Sequence, residues 1–357
     1  MAAVCGSFAA LASSPNGAPA AEPDGTATSA PSGVKFRTLL VVHRAVDGTL
    51  DLAVVFGINE GRDRTSVLLL PPPTMVEVPA LQNRILADLP ALVDDDVLRI
   101  TVMNATGVRI DEAIIADDDA LARLLAPADP LPVDFQQGIR IDDDAGTLGY
   151  PSGARDLPSA EAYRVLLGEE AGGALAHQVT VQAVLQGWLE RLRTPSVAEA
   201  TTAREPAAAL LAAAASHTAT FETLPVEKVD AGDTELLHIR DDETARLVLE
   251  QFGGAALGRG NRPRVDLRNG TGTVGLTQRV AAFIVPAGGE VTRTDNVRGF
   301  GQDVTTVVYY RDEDADWARR FVEVLGVGSI AKAQREVGVI DITVIVGADF
   351  ETAHPEH

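Results

Sequence analysis

Short apolar runs separated by polar turns dominate the start of the folded part of the chain. Runs rich in β-branched and aliphatic side chains occupy residues 36–42, 52–56 and 65–70. The Asn59-Glu60-Gly61 turn separates the last two runs, so together they predict a β-hairpin. Buried strands are therefore expected at the centre of the first domain.

Helical and strand patterns alternate after the hairpin, which is typical of an α/β fold. Residues 97–105 fit a helix and a strand equally well by periodicity. Further strands are predicted over 112–116, 131–134 and 221–227. Helices are predicted over 80–93, 207–215 and 241–252, in the second half of 159–192, and in a segment that begins at the run Asp117–Asp119.

A second folded unit is predicted near the C-terminus. Residues 255–263 lie in a glycine-rich stretch that is typical of a linker. Residues 264–350 then follow the order strand, helix, strand, strand, helix, strand. This βαββαβ order predicts a small α/β sandwich. We therefore expect a domain over 36–254, a linker, a smaller domain over 264–350 and a tail over 351–357.

The first 35 residues have a different composition. Pro, Ala, Gly, Ser and Thr dominate residues 15–35 without an apolar period, which predicts a disordered stalk. Residues 1–14 are apolar but shorter than the roughly 20 residues of a membrane helix. They belong either to the disordered start or to the end of a signal or anchor helix that begins upstream. Cys5 is the single cysteine, so no disulfide framework is expected.

Composition and charge exclude some classes of function. The chain has 30 Lys plus Arg against 51 Asp plus Glu, a net charge of −21, which argues against a nucleic-acid partner. Three triple-aspartate runs, Asp94–Asp96, Asp117–Asp119 and Asp142–Asp144, lack the spacing of an EF-hand calcium loop. We interpret them as helix starts and polar turns, and no metal site is predicted from them.

Motifs of the C-terminal unit resemble the LytR C-terminal domain family. The matching segments are Asn269-Gly270-Thr271-Gly272, Thr305–Tyr310, Leu325-Gly326-Val327 and Val344–Phe350. The turn Asn269–Gly272 also follows a strand and opens a helix, a geometry that directs backbone N–H groups toward an anion. It is either a tight turn or a ligand contact.

Residues 36–254 resemble, in the order of their motifs, the LytR-CpsA-Psr (LCP) family of cell-envelope glycopolymer transferases. The matching segments are Asp51-Leu52, Leu70–Thr74, Val76–Pro79, Thr106–Asp111 and Leu131–Asp134. The resemblance implies a larger α/β domain with a central mixed β-sheet flanked by helices. It also implies a hydrophobic groove for a polyprenyl chain, Mg²⁺ at the pyrophosphate, and a place on the extracytoplasmic side of the cell envelope.

The chain departs from this family at its charged positions. Pro72 and Pro73 replace an Arg-Asp pair, and Val165, Ala174 and His177 stand where arginines are expected. Transfer from a pyrophosphate carrier needs fixed positive charge, which these residues do not supply. We therefore expect a non-catalytic protein that binds a polyprenyl lipid or a cell-wall glycopolymer, or that assists an active LCP paralogue.

Two alternatives remain open. In the first alternative, the protein is a divergent transferase with Asp51 as the retained catalytic-type residue. The missing arginines would then be replaced at one pocket mouth by Arg62, Arg64 and Arg164. Mg²⁺ would be needed only in this case. In the other alternative, the first domain is a spacer with a filled core. We interpret His177 as a core or surface histidine.

Overall fold

The computed structural model describes residues 36–143, 145–229, 232, 234–334 and 338–355. The predicted stalk over 1–35, including Cys5, lies outside the described residues. Within the described part, no helix combines the length and apolar character that crossing a membrane requires.

The strands begin at the first described residue and continue almost to the end of the chain. They are β1 (Phe36–Arg44), β2 (Leu50–Asn59), β3 (Arg64–Leu69), β4 (Met75–Val78), β5 (Gln82–Ile85), β6 (Glu112–Ala116), β7 (Leu131–Phe135), β8 (Ile139–Asp143), β9 (Gly146–Tyr150), β10 (Gly153–Leu157), β11 (Glu169–Glu170), β12 (Thr218–Thr223), β13 (Val226–Val229), β14 (Leu236–Ile239), β15 (Arg264–Asn269), β16 (Glu290–Asn296), β17 (Thr306–Tyr309), β18 (Ser329–Lys332) and β19 (Ile342–Val346).

The helices lie between these strands. They are α1 (Leu89–Leu92), α2 (Asp95–Thr106), α3 (Asp118–Leu125), α4 (Ser159–Leu167), α5 (Ala174–Leu192), α6 (Pro195–Thr202), α7 (Ala209–Ala215), α8 (Asp241–Phe252), α9 (Leu276–Ile284), α10 (Ala315–Leu325) and α11 (Ala348–Ala353).

The first sheet is mixed and has the strand order β12-β3-β2-β1-β6. The predicted hairpin is confirmed, since β2 and β3 pair antiparallel with Asn59 opposite Arg64. β1 is antiparallel to β2, whereas β6 and β12 join parallel to β1 and β3. The predicted fold class, a central mixed sheet flanked by helices, is therefore confirmed.

Both faces of this sheet are buried, because helices cover each of them. Leu40 and Val42 point into a core that α2 and α8 help to form. Leu39 and Val41, one residue out of phase, point into a second core formed with α3, α4, α5 and α7. Alternation of side chains along a strand thus supplies both cores from the same central strands.

The second sheet has the strand order β16-β15-β19-β17-β18. β15 is parallel to both β16 and β19, and β17 is antiparallel to β19. This sheet contains one strand more than the predicted βαββαβ order, because β18 joins parallel to β17 at the edge. β18 is short and mostly exposed, so it carries no apolar period that the sequence could reveal.

The helix predicted over 80–93 is wrong. Ala80 and Gln82 have positive φ angles of 69° and 60°, which are left-handed conformations that a helix does not contain. The chain instead turns into β5, and only the four residues of α1 are α-helical there. The ambiguous segment 97–105 belongs to α2, whose first turn is capped by the Asp94 side chain accepting from Val97 N–H.

The segment over 255–263, predicted as a linker, is packed between the two sheets. Ala256 forms a β-bridge with Val108, and Leu257 is buried. Arg262 donates to Asn104 O at 2.8 Å and to Gly289 O at 2.8 Å. The proposed domain boundaries stay predictions, but the two halves share one continuous apolar core.

Asn104 is the polar residue that joins α2 to the second sheet. It is 4% exposed, its amide donates to Val291 O at 2.8 Å, and its Oδ1 accepts from Val291 N at 2.9 Å. We expect Asn104→Ala to lower the free energy of unfolding by about 2–4 kcal/mol, because both buried groups of Val291 lose their partner. Urea denaturation measures the change.

The exposed Asn83→Ala on β5 is the control, and its effect should stay within about 0.5 kcal/mol. An Asn104→Ala protein as stable as the Asn83→Ala protein would show that Asn104 does not hold the two halves together.

Candidate functional site

Asp51 lies in a β-bulge at the start of β2. His43 pairs with Leu52 and Arg44 pairs with Leu50, so Asp51 is the additional residue on β2 that has no partner on β1. A bulge redirects the side chain of the additional residue, and bulges are common next to functional sites. Here the bulge directs the Asp51 carboxylate toward the imidazole of His43.

His43 connects two carboxylates beneath the surface. Its side chain is 1% exposed, its Nδ1 lies 3.4 Å from Asp51 Oδ2, and its Nε2 lies 3.0 Å from Asp118 Oδ1. The shorter contact is a hydrogen bond, whereas Nδ1 has no hydrogen-bond partner of good geometry among the described residues. The apolar β1 strand therefore ends in a buried polar group that orients acidic side chains from β2 and α3.

Tyr163 on α4 completes this cluster. Its hydroxyl donates to Asp118 Oδ1 at 2.6 Å, and its ring meets the His43 ring edge-on at 6.2 Å. The hydrogen bond from Tyr163 is the largest effect on the pKa of Asp118 and lowers it, and His43 lowers it further. Partial burial of Asp118 opposes both effects. Burial and the neighbouring Asp118 raise the pKa of Tyr163, so the phenol stays a hydrogen-bond donor.

The outer side of the cluster is acidic. The side chains of Asp51 and Asp118 are 33% and 44% exposed. Asp47 adds negative potential at Asp118, and Asp119 does so at Tyr163. Arg44, the arginine on the neighbouring strand, is paired with Asp95. Such a surface can accept hydrogen bonds from hydroxyl groups of a ligand, but its described residues offer no unpaired cation to neutralise a pyrophosphate at this point.

The structure brings Asp51 together with none of the three arginines proposed as its partners. Arg62 is exposed in the hairpin turn, and Arg64 pairs with Asn59, at the opposite end of β2. With a rise of about 3.3 Å per residue, that end lies roughly 25 Å from Asp51. Arg164 follows Tyr163 on α4, but its guanidinium binds Asp143 through two contacts of 2.6 and 2.7 Å.

The positions that lack the family's charges have structural roles. Pro72 O accepts from Ala87 N at 2.9 Å, and Pro73 O accepts from Leu237 N at 3.0 Å. Val165 is buried in α4, and Ala174 N donates to Glu235 Oε2 at 2.9 Å at the start of α5. His177 is 7% exposed and contacts Leu166 O at 3.1 Å through Nε2.

The turn Asn269–Gly272 uses its own N–H groups. Asn269 Oδ1 accepts from Thr271 N at 3.1 Å and from Gly272 N at 2.8 Å. Gly270 N donates to Val346 O at 2.9 Å. These three donors are therefore directed at the protein rather than at a ligand. A ligand contact at this turn stays a prediction.

The residues at Asp51 do not fit the Mg²⁺ that the LCP resemblance implies. Mg²⁺ requires six oxygen ligands in nearly octahedral geometry. Asp51 instead faces a buried imidazole nitrogen at 3.4 Å, and Pro72 and Pro73 offer no side-chain oxygen. Across the described ranges, no group of three or more His, Cys, Asp or Glu side chains is placed to hold a metal ion.

Reasoning from the sequence missed three residues of this cluster. The sequence places Asp118 only in a run of aspartates at a helix start, and it singles out neither Tyr163 nor His43 as a site residue. The signal available for His43 was a single imidazole at the end of an otherwise apolar strand, beside the strand that carries Asp51. No sequence pattern indicates that α3 and α4 deliver their side chains to the same point.

The Tyr163 hydroxyl provides a direct test of the cluster. We expect Tyr163→Phe to raise the pKa of Asp118 toward its ordinary value, because the largest lowering effect is removed. A carboxyl whose pKa is lower in the folded than in the unfolded protein stabilises the folded state at pH values above its pKa in the unfolded protein. This stabilisation is lost as the pH falls through the pKa of the carboxyl in the folded protein. The variant should therefore lose less stability on acidification. Carboxyl-carbon NMR titration measures the pKa.

Tyr309→Phe, on β17 of the second sheet, is the matched control and should leave Asp118 unchanged. An Asp118 that titrates identically in the Tyr163→Phe protein would contradict the described cluster.

Comparisons with known proteins agree with this architecture. Residues 262–350 match the family described as LytR cell envelope-related transcriptional attenuator. Similar solved structures include a transcriptional regulator from Enterococcus faecalis, which is 13% identical with a TM-score of 0.51 over 61% of this chain and 88% of that chain. TagT bound to LI-WTA is also 13% identical, with a TM-score of 0.51 over 62% of this chain and 91% of that chain.

TagV from B. subtilis is 14% identical, with a TM-score of 0.50 over 61% of this chain and 98% of that chain. No curated protein matches the sequence. Identities this low establish the fold alone. The protein therefore combines an LCP-like fold with a C-terminal region, residues 262–350, that matches the LytR C-terminal family.

Proposed function

We propose that the protein is a cell-envelope LCP-like protein that binds a wall glycopolymer, free or linked to a polyprenyl carrier, without transferring it. The fold supports this proposal, because TagT, a protein of similar fold, has been solved with LI-WTA bound. The LytR C-terminal match supports a role at the cell envelope.

The observation that carries the proposal is the environment of Asp51. Its carboxylate faces His43 and shares a cluster with Asp118, while the arginines proposed as partners lie elsewhere. Phosphoryl transfer depends on cations that neutralise charge on the transferring group. A site that presents carboxylates and a phenol offers hydrogen bonds to sugar hydroxyls, which is a binding chemistry.

The apolar core favours the polymer over the lipid chain as the recognised part. Between the first sheet and α5, Leu39, Phe56 and Val184 are each 0% exposed and Trp188 is 1% exposed. Side chains without accessible surface have no water-sized space beside them. A polyprenyl chain would have to separate the sheet from α5 before it could enter this core.

Binding of a purified wall glycopolymer to the full chain tests the proposal. We expect Asp51→Asn and Asp118→Asn each to weaken binding by about tenfold, since a hydrogen bond to a charged acceptor contributes about 1.5–3 kcal/mol. Addition of EDTA should leave the affinity unchanged, because the donors do not fit Mg²⁺. Isothermal titration calorimetry measures both effects.

Asp134→Asn, an exposed carboxylate on β7 of the same region, is the control and should bind as the unmodified protein does. Retention of a polyprenyl-linked polymer but not of the free polymer would show that the lipid is the recognised part. Binding that requires Mg²⁺, or that survives both aspartate substitutions, would contradict the proposed site.

A further inference from the structure

A polar cavity of about 260 Å³ lies where the first sheet's helices meet the second sheet. The end of α2, the first turns of α8 and the segment before β15 form its walls, together with Glu290 at the start of β16. It lies outside the Asp51 cluster, and none of the sequence motifs discussed above predicts it.

Arg262 is a largely buried cation on the wall of this cavity. Its guanidinium donates to Asn104 O at 2.8 Å, to Asn104 Oδ1 at 3.2 Å and to Gly289 O at 2.8 Å, all of them uncharged acceptors. Among the described residues, no carboxylate lies within ion-pair distance of it, and its Nε is buried without a hydrogen-bond partner. Desolvation accordingly lowers the pKa of Arg262.

Glu290 is an acidic residue on the wall of the same cavity as Arg262. Within the described part of the chain, its carboxylate has neither a hydrogen bond nor an ion pair, and it lines the same cavity as Arg262. Burial raises the pKa of Glu290, and the charge of Arg262 opposes this effect without a direct contact. Arg262 and Glu290 therefore line the same cavity without forming an ion pair with each other.

Thr244 supplies an uncharged group to the same wall. Its side chain is 3% exposed, and its Oγ1 has no hydrogen-bond partner in the described structure. Asp241 and Asp242, in the first turn of α8, line the cavity beside it. Donors and acceptors thus surround one volume from several elements.

Two of these groups, Thr244 Oγ1 and Arg262 Nε, are buried without a hydrogen-bond partner among the described residues. An unsatisfied buried polar group costs about 1–3 kcal/mol, so polar atoms that occupy the cavity and bond to these groups would stabilise it. Its volume corresponds to about nine water molecules at the density of the liquid. That space also accommodates one small polar ring.

We propose that this cavity binds an uncharged, hydroxyl-rich group of the size of a single sugar residue. Hydroxyl groups can donate to Glu290 and Asp241 and accept from Arg262 and Thr244 in one orientation. Charges of both signs line the cavity, with Asp241, Asp242 and Glu290 against Arg262 and Arg264. An uncharged ligand can form hydrogen bonds with both sets of groups without adding a charge that one set repels. A neutral polyol is the class of ligand that both sets of groups favour.

The site is composite. Arg262 and Glu290 belong to the region that matches the LytR C-terminal family, whereas Thr244 and Asp241 belong to the LCP-like region. A ligand here therefore touches both regions at their junction. The inference does not depend on the function proposed for the Asp51 cluster.

Three analogues with the same ring but different charge test this inference: glucose, glucosamine and glucose 6-phosphate. With the full chain, we expect glucose to bind in the millimolar range, and the two charged analogues to bind at least about tenfold more weakly. Saturation-transfer NMR detects binding, and chemical-shift titration gives the dissociation constants.

Thr244→Val and Glu290→Gln should each weaken glucose binding by at least about fivefold. Thr244→Val keeps the side-chain shape and removes a hydroxyl without a partner, so the folded state is not endangered. Glu250→Gln, at the opposite end of α8, is the matched control and should have no effect. Three results would each overturn the proposal. They are absence of glucose binding, binding of glucose by both cavity variants as tightly as by the unmodified protein, and tighter binding of either charged analogue than of glucose.

Discussion

The pairing of β1 with β2 is the constraint on which the rest of the structure depends. Val41 opposite Val54 and Leu40 opposite Val55 fix a register in which neighbouring residues enter opposite cores. A shift by one residue would exchange the two faces of the strand. The same pairing ends in the bulge that leaves Asp51 without a partner, so the register of the sheet also sets the geometry of the candidate site.

The central strands could be predicted from the sequence because strands buried on both faces form continuous apolar runs. It failed over 80–93, where left-handed Ala80 and Gln82 start a turn that apolar spacing does not reveal. It also failed at β18, whose pairing with β17 depends on the edge of a sheet formed elsewhere in the chain. Local periodicity reports burial, whereas turns and edge strands depend on backbone geometry and tertiary contacts.

The candidate site was only partly predictable for the same reason. Asp51 stood out by its place at the start of the hairpin, yet His43, Asp118 and Tyr163 lie on three other elements that meet only in the folded chain. The arginines were proposed from their proximity in sequence or motif. In the structure Arg164 neighbours Tyr163 along α4 but is turned toward Asp143.

These features describe an LCP-like fold with an acidic polar site at the end of β1 and β2. A tightly packed segment joins the first sheet and its helices to the second sheet. The measurement that tests this account most directly is turnover of a polyprenyl-pyrophosphate-linked glycopolymer with a peptidoglycan acceptor and Mg²⁺, followed by release of polyprenyl phosphate. The account predicts release no faster than without protein, while the polymer stays bound. Release that is abolished in Asp51→Ala would contradict it and establish a transferase.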